Sequence, residues 1–292
     1  MRVLIVGHGF VGTAVEYGFI NNDIDIIDPK YEWGRYVEWD QINPSHYNVV
    51  FICVPTPMSP DGSCDASILH KVMKKFAYTK NDAQTAQCIV IKSTVTPKII
   101  QKYIDWPGVV YNPEFLTEKS ANEQFVDPQF HIFGGREQDC KRLQYYYETH
   151  SLCNPCPVHI MSLEEASFTK YAINSFLALK VTFFNQLFDC VKERYQNFEP
   201  IIKAVGNDKR IGYSHTKVPG FDRKRGYGGA CFPKDTSAIT KEFPRLTLIE
   251  ECVKINNQYR SEYSLDERER EQHVNYGQTK KELKDKDNGS SS

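Results

Sequence analysis

The decapeptide Gly226-Tyr227-Gly228-Gly229-Ala230-Cys231-Phe232-Pro233-Lys234-Asp235 sets one thiol behind a glycine-rich turn and just ahead of a lysine and an aspartate. Residues without a Cβ let a backbone pass close to a ligand, and an ammonium near a thiol favours the ionised form. This is a nucleophile's setting. Asp235 is expected to cap a helix over Thr236–Phe243, which fixes Cys231 just ahead of a helix N-terminus, where a thiolate is favoured electrostatically. A glycine hairpin around a buried cysteine is the competing reading, because free cysteine is among the most buried residue types. The decapeptide alone does not separate the two.

A second pattern able to do chemistry opens the chain. Arg2–Val6 is a short apolar run of the kind buried in a parallel sheet, and it leads straight into Gly7-His8-Gly9-Phe10-Val11-Gly12. A GxGxxG is weak alone. Here it follows a strand, opens an amphipathic helix through Ile20, and precedes a second strand, Ile24–Ile27, that ends in Asp28. Asp28 stands 21 positions after Gly7, where the ribose-binding acid of a dinucleotide fold belongs. An acid there repels a 2′-phosphate, so NAD is expected rather than NADP, with Lys30 and Arg35 as the residues arguing the other way.

The elements that must position these residues follow as repeated βα units: strand Val49–Val54, helix Ala66–Tyr78, strand Cys88–Lys92, helix Pro97–Tyr103 and strand Val109–Tyr111. Strand His131–Phe133, helix Gln138–His150 and a short strand near Val158 continue them. The fold class is α/β, a Rossmann-type doubly wound parallel sheet followed by a long-helix α domain. Ligands in such sheets bind beyond the carboxyl ends of the strands, where Val54-Pro55-Thr56-Pro57, Lys92-Ser93-Thr94-Val95 and Asn112–Glu118 lie, so Thr94, Glu114 and Glu118 fall on the cofactor side. Ser162-Leu163-Glu164-Glu165 reads as a capping box opening a helix of about thirty residues. Lys170 and Asn174 share one face of it, with a solvated face as the ordinary alternative. A last helix is expected over Leu246–Arg270. The domains read as 1–160, dinucleotide-binding; 161–275, helical and carrying the thiol; and 276–292, a polar disordered tail.

The chain has 292 residues, 36 basic and 37 acidic, and a net charge of −1, a balance that points to neither nucleic acid nor an anionic membrane as partner. Its longest apolar run, Val49–Val54, is too short to span a bilayer, and a strand beginning at Arg2 leaves no room for a signal peptide, so a cytoplasmic protein is expected. Nine irregularly spaced cysteines read as free thiols. Cys153-Asn154-Pro155-Cys156 has CxxC spacing, but no second pair completes four ligands and no metal is expected. Large apolar residues on several faces of the long helix imply a homodimer through it.

Taken together, GHGFVG at Gly7–Gly12, VPTP at Val54–Pro57, KSTV at Lys92–Val95, NPEFLTE at Asn112–Glu118, EEASFTKYAINSFLALK at Glu164–Lys180, DKRIG at Asp208–Gly212 and GYGGACFPKD at Gly226–Asp235 resemble the UDP-glucose/GDP-mannose dehydrogenase family over residues 1–260. Their order is far more specific than any one of them. The resemblance implies NAD as cofactor, a nucleotide sugar as substrate, and Cys231 as the nucleophile at the sugar's C6. It implies proton transfer and oxyanion stabilisation by Asp235 and Lys170, and an Asn174 that holds the same oxygen or a water. Thr94 and Glu114 would handle water, with Glu118 beside cofactor and sugar. Gly7, Gly9, Phe10, Val11, Gly12, Asp28, Pro55, Thr56, Thr94, Glu118 and Lys234 would line the cofactor. Glu114, Phe115, Leu116, Lys170, Asn174, Arg210, Tyr227 and Gly228 would line the sugar nucleotide, Arg210 by reaching a neighbouring subunit. UDP-glucose is the expected substrate, GDP-mannose the alternative, and a non-catalytic binder needing a partner domain a third reading. The family's pattern also implies a further nucleotide-binding domain after the long helices, so part of the uridine and cofactor contacts are expected to be missing. The basic loop between Arg210 and Cys231 is expected to grip the diphosphate or else to be a solvated surface loop.

Overall fold

The computed structural model describes residues 1–31, 34–76, 88–194 and 197–277. The predicted helix end near Tyr78 and the predicted disordered tail from residue 278 onward lie outside them. The chain divides into two units, Met1–Thr56 with Asp65–Lys170, and Pro57–Cys64 with the chain from Tyr171 onward.

The first unit runs β1 (Arg2–Val6), α1 (Phe10–Gly18), β2 (Asp23–Ile27), β3 (Val49–Ile52), α2 (Ser67–Lys75), β4 (Cys88–Ile91), α3 (Pro97–Ile100), β5 (Val109–Tyr111), α4 (Ala121–Val126), β6 (His131–Gly135), α5 (Glu137–His150) and β7 (Val158–Met161). One sheet results, in the order β2-β1-β3-β4-β5-β6-β7. Every residue of β3 and β4 is buried, which is why these strands read as unbroken apolar runs rather than as alternation. The core beneath them is aromatic: Phe19, Phe51, Phe125, Phe133 and Tyr147 meet edge-on or tilted, with centroids 5.1–6.4 Å apart.

The doubly wound sheet expected from the βα repeats is present, with one correction. β6 runs antiparallel to β5, pairing Val110 with Gly135 and Tyr111 with Gly134, and β7 then runs parallel to β6. Glycine permits this join: a Cβ on Gly135 would lie 2.8 Å from the Val109 carbonyl oxygen, and one on Gly134 would lie 2.5 Å from Ala166 Cβ. The strand order reverses at β1, between β2 and β3, so the crevice for a ligand opens beyond the ends of β1 and β3.

The helix α6 (Leu163–Arg194) starts in the first unit and continues in the second. Its predicted capping box forms, Glu165 N donating to Ser162 Oγ at 3.2 Å and Ser162 N to Glu165 Oε2 at 2.8 Å. The second unit adds α7 (Glu199–Asn207), α8 (Phe232–Glu242), α9 (Thr247–Arg260) and α10 (Glu267–Glu271). The single helix expected over Leu246–Arg270 is therefore two. The helix ends at Arg260 and a new one starts where Asp266 accepts from Glu269 N at 2.9 Å while Glu269 accepts from Asp266 N at 2.9 Å, a second capping box that fixes the restart. Tyr276, placed at the start of the predicted tail, is buried. Among the described residues of this unit, Tyr171 packs against Ala238 and Ile239, and Ala178 against Tyr227 and Cys252.

Candidate active site

In the first unit, two of the three fingerprint glycines are dictated by space. Gly7 sits at φ +90, and a Cβ there would lie 2.7 Å from the Cys53 carbonyl oxygen; one on Gly12 would lie 2.1 Å from the Gly7 carbonyl oxygen. Gly9 has nothing within 4 Å of its would-be Cβ. It is the N-cap of α1 and offers no side-chain cap, so the first N–H groups of that helix are left for an anion such as a pyrophosphate. Phe10 and Val11 form the first turn. Asp28 closes β2 with its carboxylate turned back on this loop, accepting from His8 N at 2.7 Å and from Lys30 N at 2.8 Å. Arg35, which argued for NADP, is directed to Glu16 at 3.5 Å. The cradle fits a dinucleotide.

Beyond β3 and β4, Thr56 donates to the Thr94 carbonyl at 2.7 Å and ties two of the predicted loops together, while Pro55 is exposed beside it. The NPEF loop after β5 is held at two residues. Glu114 is buried, its Oε2 accepting from Leu116 N at 2.6 Å, and Lys170 reaches it from α6, with Nζ 2.5 Å from the Glu114 carbonyl oxygen and 4.0 Å from Oε1. Lys170 also lies 4.7 Å from the Phe115 ring centroid. Two residues back, Asn112 Oδ1 accepts from Lys92 Nζ at 3.0 Å and from Tyr147 Oη at 2.8 Å, and Asn112 Nδ2 donates to the Ile132 carbonyl at 3.1 Å. Lys92, Glu114, Phe115 and Leu116 line a cavity of about 250 Å³. Burial depresses the Lys92 pKa, partly countered by Cys53 and Glu114, and burial pushes the Cys53 thiol up to about 12. Glu118 stands exposed on a short turn four residues past Glu114.

In the second unit the expected cap is corrected. α8 starts at Phe232, four residues before the predicted start, with Cys231 itself at the N-cap and Pro233 in the first turn, so Asp235 lies inside the helix and caps nothing. Its buried carboxylate instead accepts from Asn174 Nδ2 at 2.6 Å and from Lys234 Nζ at 2.6 Å. Burial alone would lower the Lys234 pKa, but the Asp235 charge, with Cys231 and Cys64 beside it, raises it above the ordinary value. Neither Lys170 nor Asn174 belongs to a solvated face, since both are buried. Tyr227 is buried with its hydroxyl 3.2 Å from that of Thr236. Arg210 is paired with Asp208 at 2.6 Å on a side chain 89% exposed. The basic loop is partly structural: Arg225 bonds Asn185 and Asp189 at 2.7 Å, and Lys224 bonds the Ser264 carbonyl at 2.7 Å, while Lys217 and Arg223 are exposed.

Elsewhere, burial raises both thiols of the CxxC pair, Cys153 to about 11, and Cys153 Sγ donates to the Phe125 carbonyl at 3.0 Å. None of the nine cysteines is in a disulfide. Among the described residues no cluster of three or more His, Cys, Asp or Glu could hold a metal, and no helix is long and apolar enough to cross a membrane.

Two family models match the chain, both of the UDP-glucose/GDP-mannose dehydrogenase family: its NAD binding domain over residues 37–150 and its central domain over residues 164–258. The chain belongs to that family. Among curated relatives, the UDP-glucose 6-dehydrogenase of Pseudomonas aeruginosa is 31% identical over 82% of this chain, and that of Rickettsia felis is 34% identical over 82%. The chain spans about three fifths of their length, 61% and 60%. Among solved structures, a UDP-glucose dehydrogenase from Pyrobaculum islandicum superposes with a TM-score of 0.71 at 26% identity, covering 90% of this chain and 69% of that one. A UDP-D-ManNAc dehydrogenase from Pyrococcus horikoshii shares the fold at a TM-score of 0.73 and 20% identity.

Within this family frame residues 37–150 match an NAD binding domain, and several residues around its loops escaped the motif reading. Lys92 was visible inside KSTV but carried no assigned role. Asn112 and Tyr147, 35 apart in sequence, meet only once the sheet is built. In the second unit Asn185, Asn256, Arg260 and Glu269 all touch or brace the glycine turn. Only Glu269 left a trace in the sequence, as the last residue of the D-x-x-E box at Asp266.

Proposed function

We propose that this chain is an NAD-dependent nucleotide-sugar 6-dehydrogenase that converts UDP-glucose to UDP-glucuronate. The observation that carries the reading is Cys231 at the N-cap of an eleven-residue helix whose first turn holds Lys234 against a buried Asp235, to which Asn174 of α6 also donates. Partial positive charge at a helix N-terminus and a nearby ammonium both favour thiolate over thiol.

The chemistry is a four-electron oxidation. NAD supplies the hydride acceptor for each of its two steps. The C6 hydroxyl gives up its proton as the first hydride leaves, and the Cys231 thiolate adds to the resulting aldehyde to form a thiohemiacetal. Loss of the second hydride leaves a thioester on Sγ, and water then releases the uronate and restores the thiolate. Lys170 and Asn174 are assigned to the oxygen on C6, Asp235 to keeping Asn174 and Lys234 in place, and Glu114 to the water. Thr94 and Thr56 would hold the loops that flank the nicotinamide, with Glu118 and Arg210 toward the rest of the sugar nucleotide. A homodimer through α6 and a cytoplasmic location belong to the same reading.

The test is the near-ultraviolet absorbance of NADH with the purified chain and a panel of UDP-glucose, GDP-mannose and UDP-N-acetylmannosamine. Two NADH per uronate with UDP-glucose is expected. Turnover of GDP-mannose alone would reassign the substrate. One NADH per sugar, with free aldehyde accumulating, would remove Cys231 as nucleophile. A second reading is a chain that binds NAD and nucleotide sugar without turning them over; NAD binding without turnover of any of the three sugars would favour it.

A further inference from the structure

The turn that ends in Cys231 is gripped by residues far along the chain. Asn256 on α9 accepts from Tyr227 N at 2.6 Å and donates to the Tyr227 carbonyl at 3.0 Å, and Gly226 N donates to Asn185 Oδ1 at 3.0 Å. One turn on, Arg260 is 1% exposed and spreads its guanidinium between Asp222 Oδ2 and Glu269 Oε1, each at 2.6 Å. Glu269 is fully buried. Its Oε1 also accepts from Gly229 N at 3.1 Å and from Tyr276 Oη at 2.7 Å, and its Oε2 from Asp266 N at 2.9 Å.

The turn has no slack against this grip. A Cβ on Gly228 would lie 2.1 Å from Arg260 Nη2, one on Gly226 would lie 2.5 Å from Asn256 Oδ1, and Gly229 holds φ +79, a conformation side chains disfavour. A buried ion pair is often no better for stability than apolar packing of the same volume, whereas a hydrogen-bonded polar network specifies one geometry; in this one Arg260 Nε is left without a partner. What this network specifies is the backbone two residues before the thiol.

We propose that Glu269, braced by Arg260 and Tyr276, is a positioning residue for Cys231: by holding the Gly229 N–H it fixes the left-handed glycine and so sets the thiol at the N-terminus of α8. The proposal rests on the reading of Cys231 as the nucleophile. Glu269 is bonded to Arg260, Tyr276 and the Asp266 backbone, with Asp222 on the other arm of Arg260, and Lys234 is the ammonium beside Cys231.

The test is the pH dependence of alkylation of Cys231 by iodoacetamide in the whole chain, read on the peptide containing Cys231 by mass spectrometry. Glu269→Gln keeps the size but sets an amide NH2 against either Asp266 N–H or Arg260. Alkylation at neutral pH is expected to slow by about tenfold, with the midpoint of the pH profile moving up, because a displaced thiol loses the helix terminus that favours thiolate. Charge removal alone would do the reverse, since losing a nearby carboxylate stabilises a thiolate. A role only in stability would lower the melting temperature and leave the midpoint of the folded protein unmoved. An unmoved or lowered midpoint therefore overturns the proposal. Tyr276→Phe removes a single hydrogen bond from Glu269 and provides the same reading should Glu269→Gln not fold: a smaller upward move is expected, and none refutes the idea. Alkylation needs neither sugar nor cofactor, so a chain that turns over no nucleotide sugar still yields the result.

Discussion

Replacing Glu114 by Gln separates the two halves of the proposed reaction. The side chain is anchored by Leu116 N at 2.6 Å, which a glutamine oxygen can still accept, while the other carboxylate oxygen lies 4.0 Å from Lys170 Nζ. Two unit charges at that distance attract by about 4 kcal/mol at an effective dielectric constant near 20, most of it offset by the cost of desolvating the carboxylate. Lys170 keeps the residue-114 carbonyl and the Phe115 ring, so the fold should lose no more than ~1–2 kcal/mol. The kinetic effect is larger. Oxidation to the thioester needs no base at this position, but hydrolysis loses its general base, typically worth about 10²–10⁴ in rate. Rapid mixing with UDP-glucose and excess NAD should give a burst of two NADH per chain and then a stall, with an acyl adduct on Cys231 in the intact mass. Cys231→Ser, lacking a comparably ionisable nucleophile, should show no acyl adduct and at most one NADH per chain in place of two. If Glu114→Gln turns over at the wild-type steady rate, the base is another group, and Glu118 is the first to examine.

Three further outcomes are expected. Asp28→Ala removes the carboxylate held by His8 N and should weaken NAD binding and narrow the preference for NAD over NADP; an unchanged ratio of kcat/KM for the two would move the ribose contact away from β2. Burial, helped by the Lys92 charge, holds the His131 pKa down from 6.5 to about 4, so His131 stays neutral in the fold while the unfolded chain takes up a proton. The stability this group contributes is then complete above pH 6.5 and lost as pH falls toward 4, by ~3 kcal/mol in all; His131→Phe should flatten that part of the denaturation profile, and an unchanged slope would refute the assignment. Phe176 and Phe183, seven apart on α6, are 64% and 56% exposed. If they meet a second copy, light scattering should give a dimer that Phe176→Lys with Phe183→Lys converts to monomer, and a wild-type monomer at micromolar concentration would end the dimer reading.

What could be read from the sequence divides by the distance over which each constraint acts. Gly12 is crowded by the Gly7 carbonyl of its own βα turn and the Ser162 capping box closes within four residues, so motif and structure coincide there, whereas Gly7 is forced by the Cys53 carbonyl beyond β3. The parallel strands were legible because burial on both faces writes an unbroken apolar run. The antiparallel join of β5 and β6 was not, because strand direction is a property of the connection and leaves no mark on either strand. Asp235 shows how a local rule loses. An aspartate ahead of a helical stretch is a good cap in isolation, but here Pro233 and Cys231 start the helix earlier, and the buried Asn174 and Lys234 claim its carboxylate.

The polar residues that were missed share one property: each pairs with a partner 20 or more positions away, as Lys92 with Asn112, Asn256 with Tyr227, Glu269 with Gly229 and Tyr147 with Asn112. Side-chain type alone places such residues on the surface, where Arg, Glu and Asn ordinarily stand, and only the packed structure reveals the hydrogen bonds that offset their desolvation. The groups that would meet the ligand are therefore the ones a motif displays, since a ligand's shape constrains short stretches of backbone. The groups that hold those stretches still are displayed by nothing local. In this chain the glycine turn is legible and its brace is not, and the reactivity of Cys231 is expected to depend on both.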